Sequence, residues 1–297
     1  MDVRRLRRNT AARMQNRIDN CFARLRVEKR EGFIPYICAG DPSLEKTVGL
    51  VHALEQAGAD LVELGIPFSD PLADGIVNQL AAQRALSAGA SVRGVLDCVR
   101  NIRARSTIPV VLYTYLNPIL QFGFDKFHCE AEAAGVDGLL ILDLPPEEDA
   151  SLAELDRLKR SSLRTQSTEQ AREETGASNL FHIRLIAPTT PLERVEKIAT
   201  YAKGFLYYVS REGVTGVHET VASSLGEKMA QLREISDLPI AVGFGISNAD
   251  QAREVARHAD AVVVGSAIVD LIAKHGNSGE LIEKVGSFAR ELRKGIK

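Results

Sequence analysis

Tryptophan is absent from all 297 residues. The four cysteines, Cys21, Cys38, Cys98 and Cys129, are scattered without metal-ligand or redox spacing, which leaves free thiols of a cytoplasmic protein as the expectation. No apolar run approaches the roughly 20 residues needed to cross a bilayer, so no membrane association is expected. A net charge of −2 predicts no general attraction to nucleic acid or anionic lipid. The histidines, His52, His128, His182, His218, His258 and His275, fall mostly on helical stretches and none pairs at ligand spacing. That argues against a metal-dependent aldolase. No lysine lies in a candidate strand or strand-end loop, which argues against a Schiff-base aldolase. Ser-His-Asp logic is not visible either, and no metal or cofactor is expected.

What is present is an alternation of apolar runs and amphipathic stretches. Hydrophobic content of 45% and charge of 26% are those of an ordinary globular protein. Strand candidates are Phe33–Cys38, Asp60–Gly65, Pro109–Tyr115, Asp137–Asp143, Phe181–Ala187, Gly204–Ser210, Pro239–Gly243 and Asp260–Gly265. Helical stretches lie between them: Leu44–Ala57, Val77–Ser87 with Val92–Ala104, Phe124–Ala134, Glu147–Lys159, Leu192–Tyr201, Ala222–Ile235, Ala249–Arg257 and Ala267–His275. A last one runs from Leu281 to Arg293. Near-continuous apolar strands are buried on both faces, which argues a parallel sheet with helical crossovers. Eight units in order predict an α/β fold of the (β/α)8 TIM barrel type, a doubly wound open sheet being the alternative. Ala57-Gly58-Ala59-Asp60 and Ala134-Gly135-Val136-Asp137 repeat one device, a glycine ending a helix in the left-handed region just before a strand.

Two segments stand outside the alternation. Residues 1–17 carry Arg4, Arg5, Arg7, Arg8, Arg13 and Arg17 against one acid, Asp2. A solvated extension over 1–15 is preferred to an organelle-targeting segment, because serine and a cleavage signal are missing. Ile18, Cys21, Phe22 and Leu25 then fall at helical spacing, predicting an N-terminal capping helix ahead of the first strand. Residues 159–179 are almost purely polar and read as an insertion between helix 4 and strand 5, on the face away from a barrel's active site. The remainder, 16–297, reads as one domain.

In a barrel the strand-to-helix loops make the site. Glu63 ends an apolar strand, where an unpaired carboxylate is expensive, and the loop from Ile66 to Gly75 adds Asp70 and Asp74. Ser69-Asp70-Pro71 is a turn by itself, so Asp70 is set aside. Tyr115-Leu116-Asn117-Pro118 and Asp143-Leu144-Pro145-Pro146 are further strand-end loops. Glycines after strands 6, 7 and 8 (Gly213 and Gly216, Gly243 and Gly245, Gly265) fit a phosphate cradle, the last running straight into a helix. The chemistry left is carboxylate acid–base catalysis on a phosphorylated small molecule.

The run Glu63-Leu64-Gly65-Ile66-Pro67-Phe68-Ser69-Asp70-Pro71-Leu72-Ala73-Asp74-Gly75 resembles the signature of the tryptophan synthase alpha chain. Gly40-Asp41-Pro42, Asp143-Leu144-Pro145-Pro146-Glu147-Glu148, Ala187-Pro188-Thr189-Thr190, Ser210 to Gly216, Gly243 to Ser247 and Gly265-Ser266-Ala267 are similar too, and the likeness runs from about Asn16 to His275. The resemblance implies retro-aldol cleavage of indole-3-glycerol phosphate to indole and glyceraldehyde 3-phosphate. It implies Glu63 as the general acid–base and Asp74 as the carboxylate that binds the indole N–H. Tyr207 would stand beside the acid, Thr215 would order over substrate, and Tyr36 would flank the indole. Gly216, Gly245, Gly265 and Ser266 would cradle the phosphate. The implied partner is a beta chain in an alpha-beta-beta-alpha assembly. A chain without tryptophan suits an enzyme made when tryptophan is scarce. The family usually continues Asp-Gly-Pro, whereas Gly75 is followed here by Ile76, a residue that does not fix the start of a helix as proline does. Two alternatives are a stand-alone lyase releasing indole and a catalytically idle activator of a beta chain.

Overall fold

A computed structural model of the chain describes residues 16–149, 179–209, 218–243 and 245–296, with backbone alone over 218–224. The basic extension, most of the polar insertion and the loop after the sixth barrel strand lie outside the described residues. The elements in order are α1 (Arg17–Glu28), β1 (Gly32–Cys38), α2 (Leu44–Gln56), β2 (Val62–Gly65), α3 (Ile76–Ser87), α4 (Val92–Arg103), β3 (Val110–Thr114), α5 (Leu116–Phe122), α6 (Phe124–Ala134) and β4 (Gly138–Ile141). A helical turn starts at Pro146. Then come β5 (Phe181–His182), β6 (Arg184–Ile186), α7 (Leu192–Tyr201), β7 (Leu206–Val209), α8 (His218–Ile235), β8 (Ile240–Gly243), α9 (Ala249–Ala256), β9 (Ala261–Val264), α10 (Ser266–His275) and α11 (Leu281–Gly295).

All the pairings are parallel, and the strands order β5-β4-β3-β2-β1-β9-β8-β7-β6. The two ends of that series, β5 and β6, are separated only by Ile183. They are the lower and upper halves of one barrel strand: the first pairs with β4 and the second with β7, so the ring closes through Ile183. The single strand expected over Phe181–Ala187 is therefore interrupted, and it changes neighbour at the break. The other departure is α5. Tyr115-Leu116-Asn117-Pro118, expected as a loop, starts a helix at Leu116. Pro118 is its third residue, within the first turn, where a backbone N–H would have no helical partner anyway.

The repeated Ala-Gly-x-Asp has a structural role at the amino ends of the strands. Gly58 and Gly135 take φ of +97° and +89°, ending α2 and α6 as expected. The aspartates that follow reach sideways to the neighbouring strand. Asp60 accepts from Phe33 N at 3.1 Å and Asp137 from Val110 N at 2.8 Å, and Asp260 repeats the bond with Ile240 N at 2.8 Å. Asp60 and Asp137 also hold arginines from α1, α4 and the turn before β1: Arg24 and Arg30 on Asp60, Arg17 and Arg103 on Asp137.

Side chains divide into two layers. Val62, Leu64, Val110, Leu112, Val262 and Val264 face outward into a core shared with the helices. Ile34, Leu61, Val111, Leu140, Ile183, Phe205, Ala241 and Ala261 face the barrel interior, where α1 packs Ile18, Cys21, Phe22 and Leu25 against them. The Asn16 side chain starts α1 by accepting from Ile18 N at 2.8 Å. One end of the barrel is thereby stopped by α1, and the other is left to the loops that carry the site.

Candidate active site

Glu63 is the second residue of β2 and is wholly buried. Neither carboxylate oxygen has a hydrogen-bond partner among the described residues. Burial pushes its carboxyl up to about 8, and the Tyr207 hydroxyl opposes part of that shift without forming a bond of ordinary geometry. A carboxyl of this kind is protonated or ionised with little bias near neutrality, as a group that must both give and take a proton requires.

Tyr36 lies beside Glu63 in register across the β1–β2 ladder. It fits because position 65 has no side chain: a Cβ on Gly65 would come within 2.5 Å of the Tyr36 hydroxyl oxygen. Tyr207 on β7 has the same arrangement with Gly243, where a Cβ would lie 3.0 Å from its hydroxyl. Both phenols are buried and their pKa is pushed well above the usual tyrosine value, chiefly by burial.

Asp74 belongs to the loop between β2 and α3. It is not the N-cap of α3; that position is Gly75, which offers no side chain. The carboxylate turns inward, accepting from the Tyr113 hydroxyl on Oδ1 at 2.8 Å and from the Tyr115 hydroxyl on Oδ2 at 2.9 Å. Burial raises its pKa, and the hydrogen bonds from Tyr113, Tyr115 and Asn78 oppose that rise. Tyr115 also accepts from Ala73 N at 3.0 Å, tying the same loop to the residue that follows β3. Tyr113 and Tyr115 are the candidate site residues that sequence reasoning missed. The available signal was their i, i+2 spacing at a strand's carboxyl end, which puts both on one face.

The remaining expected residues are distributed as follows. Gly265 caps α10, and Ser266 is its first residue, so helix-start N–H groups open beside Tyr36, which a Cβ at Gly265 would touch at 3.4 Å. Gly245 has φ of +63° and open space where a Cβ would be. Thr215 and Gly216 lie outside the described residues. Asp41, in the loop after β1, takes a two-pronged bond from Arg84 of α3 at 2.9 and 2.7 Å. It locks the first strand-end loop to the helix that follows Asp74. Asp70 is bound by its neighbour Ser69 at 2.5 Å, as its turn role predicts.

A cleft of about 830 Å³ opens at the opposite rim, lined by Arg17, Arg24, Arg30 and Arg293 beside Asp60. Arg24 and Arg30 bind Asp60, and Arg17 binds Asp137, so this is ion-pair scaffolding at the stability end of a barrel. Among the described residues no group of three or more His, Cys, Asp or Glu side chains could hold a metal ion.

A parallel eight-unit barrel with an unpaired buried carboxyl at a strand end and a second, phenol-held carboxylate in the adjoining loop has the form of an enzyme of the (β/α)8 class. Comparison with known proteins gives the family. The profile described as "Tryptophan synthase alpha chain" matches residues 22–297, and the chain belongs to that family. The tryptophan synthase alpha chain of Opitutus terrae is 46% identical over 283 residues, covering 95% of this chain and 99% of that one. The Geobacter sulfurreducens alpha chain is 43% identical over 281 residues, with 95% and 99% covered. The tryptophan synthase subunit alpha of Legionella pneumophila superposes with a TM-score of 0.80 at 37% identity, covering 95% and 98%.

Proposed function

We propose that this chain is the lyase of its family, cleaving indole-3-glycerol phosphate to indole and glyceraldehyde 3-phosphate as the alpha subunit of tryptophan synthase, with Glu63 and Asp74 carrying the chemistry. The observation that supports it most is Glu63, buried, unpaired and balanced near neutrality at a strand end. Cleavage adds a proton at indole C3 and removes one from the hydroxyl on the adjoining glycerol carbon. The C–C bonding pair returns to the ring while the hydroxyl oxygen becomes the aldehyde carbonyl. One carboxyl that can give and take a proton balances both events. Protonation at C3 leaves positive charge at the ring nitrogen. Asp74, fixed as an anion by two phenol donors, stabilises that charge more in the transition state than in the ground state. Tyr36 walls the aromatic ring, and Gly245, Gly265 and Ser266 offer backbone N–H groups to the phosphate.

A beta chain is the proposed partner. Leu72, Ile76 and Leu80 stand exposed by 91%, 66% and 45% along the loop and helix that carry Asp74, an apolar stretch that suits a protein interface. Among the described residues no helix is long and apolar enough to cross a membrane, in keeping with a cytoplasmic enzyme. The test is turnover of indole-3-glycerol phosphate with and without a beta chain. Cleavage that rises on adding the partner is expected. Equal rates and no complex on a sizing column would favour the stand-alone lyase, and no cleavage in either case would refute the activity.

A further inference from the structure

Tyr113 is half-buried on the inner face of β3 and makes two contacts that join separate parts of the site. Its hydroxyl donates to Asp74 Oδ1 at 2.8 Å. Its ring meets the Tyr36 ring edge-on, centroids 4.9 Å apart at 65°. It also pairs in register with Gly65, the position whose missing side chain admits the Tyr36 hydroxyl. Resting on the lyase reading above, we propose that Tyr113 is a positioning residue, a strand-borne side chain that fixes both the anion and the aromatic wall between which the indole is received.

The hydrogen bonds set the direction of the donors. Tyr115 Oη accepts from Ala73 N at 3.0 Å, so its own proton is left for Asp74 Oδ2. With Tyr113 donating to Oδ1, each carboxylate oxygen takes one phenol proton and keeps a lone-pair direction for a ligand. A protonated Asp74 could not receive both phenols as donors without setting its own proton elsewhere, so the pair selects the ionised form. The groups facing Asp74 are Tyr113 from β3, Tyr115 just past its end and Asn78 from α3, with Tyr36 and Cys38 of β1 and Tyr207 of β7 farther off. Of the two phenols that hold the carboxylate, Tyr115 is also bonded to the loop that carries Asp74, through Ala73 N. Tyr113 has no such bond among the described residues, and it ties Asp74 to the barrel wall and Tyr36.

Tyr113→Phe removes one hydroxyl and keeps the ring against Tyr36. Two readouts are required. In steady-state assays on indole-3-glycerol phosphate, kcat is expected to fall about tenfold with KM nearly unchanged, and the acidic limb of the kcat profile to move up by about one pH unit, the size of one charge-assisted hydrogen bond. Separately, carboxyl-carbon NMR of protein labelled in aspartate, with Asp74→Asn supplying the assignment, should show the Asp74 titration moving up by a similar amount. A merely structural role would lower stability and leave both the titration and the limb in place. Unchanged Asp74 titration in Tyr113→Phe overturns the proposal whatever the activity. Wild-type protein that fails to cleave the substrate refutes the lyase reading instead, and the NMR titration still decides the role of Tyr113.

Discussion

Replacing Glu63 by glutamine should stop turnover and change how stability depends on pH, and the second effect can be worked out from burial. The Glu63 carboxyl, at 4.5 in its ordinary state, is moved to about 8 in the folded chain. Between those values the folded protein holds a proton that the unfolded chain has released, so stability is fully present below pH 4.5 and is lost as pH rises toward 8. At about 1.4 kcal/mol for each pH unit, the loss from this one group is on the order of 5 kcal/mol. Glutamine is nearly the same shape and never ionises, so Glu63→Gln escapes the loss. Urea melts of wild type and variant at pH 5 and pH 9 isolate the effect, because the other titrating groups cancel in the difference. The two proteins should be of similar stability at pH 5, and the variant more stable by several kcal/mol at pH 9. Its lyase rate, followed by indole release, should be down by about 10²–10⁴ or more. A stability difference that does not move with pH would show that Glu63 is not held in the buried, unpaired state described. A rate close to wild type would remove it from the mechanism.

Gly65→Ala should cost about 1–3 kcal/mol in a thermal or urea melt and lower activity, since the new methyl lies 2.5 Å from the Tyr36 hydroxyl; the double variant with Tyr36→Phe should recover part of the stability. Asp137→Asn should destabilise by about 3–5 kcal/mol in the same melts, because it takes the negative partner from Arg103, whose side chain is 12% exposed, and weakens the bond to Arg17. Equal melts for wild type and variant would refute each of these.

How far the sequence is legible follows from the range of the interactions. The strand–helix alternation is local, and β3 or β9 reads as a strand because both of its faces are buried, the pattern that a parallel barrel imposes. Helix ends with a local marker, such as Ser43 before α2 or Gly135 after α6, can be placed within a residue or so. The helix α5 escapes because Asn117-Pro118 looks like loop chemistry, and the first turn of a helix accepts proline. The break at Ile183 escapes because it depends on which neighbours the two halves meet, a property of ring closure and not of the segment. Glu63 stands out in sequence as an acid in an apolar strand. The phenols that hold Asp74 do not, since they lie 39 and 41 residues away and nothing in the loop names its donors.

The helix α1 is near the start of the chain, yet its contacts come from all round the ring. Its four apolar residues share one cluster with Ile34, Leu61, Val111, Leu140, Ile183, Phe205, Ala241 and Ala261. Positions 32, 138 and 204 are glycines at which a methyl would press on Leu25 or Ile18 at 2.9 to 3.0 Å. A binding place assembled from residues 32 to 261 does not exist until the late strands have joined the sheet. During synthesis, then, the segment that leaves the ribosome early must wait, its four apolar side chains uncovered, for the barrel to be completed around its seat. Docking of α1 becomes a closing event of folding, governed by contacts of long sequence separation and correspondingly slow. Over that interval the uncovered apolar face of this helix needs protection from association with its neighbours.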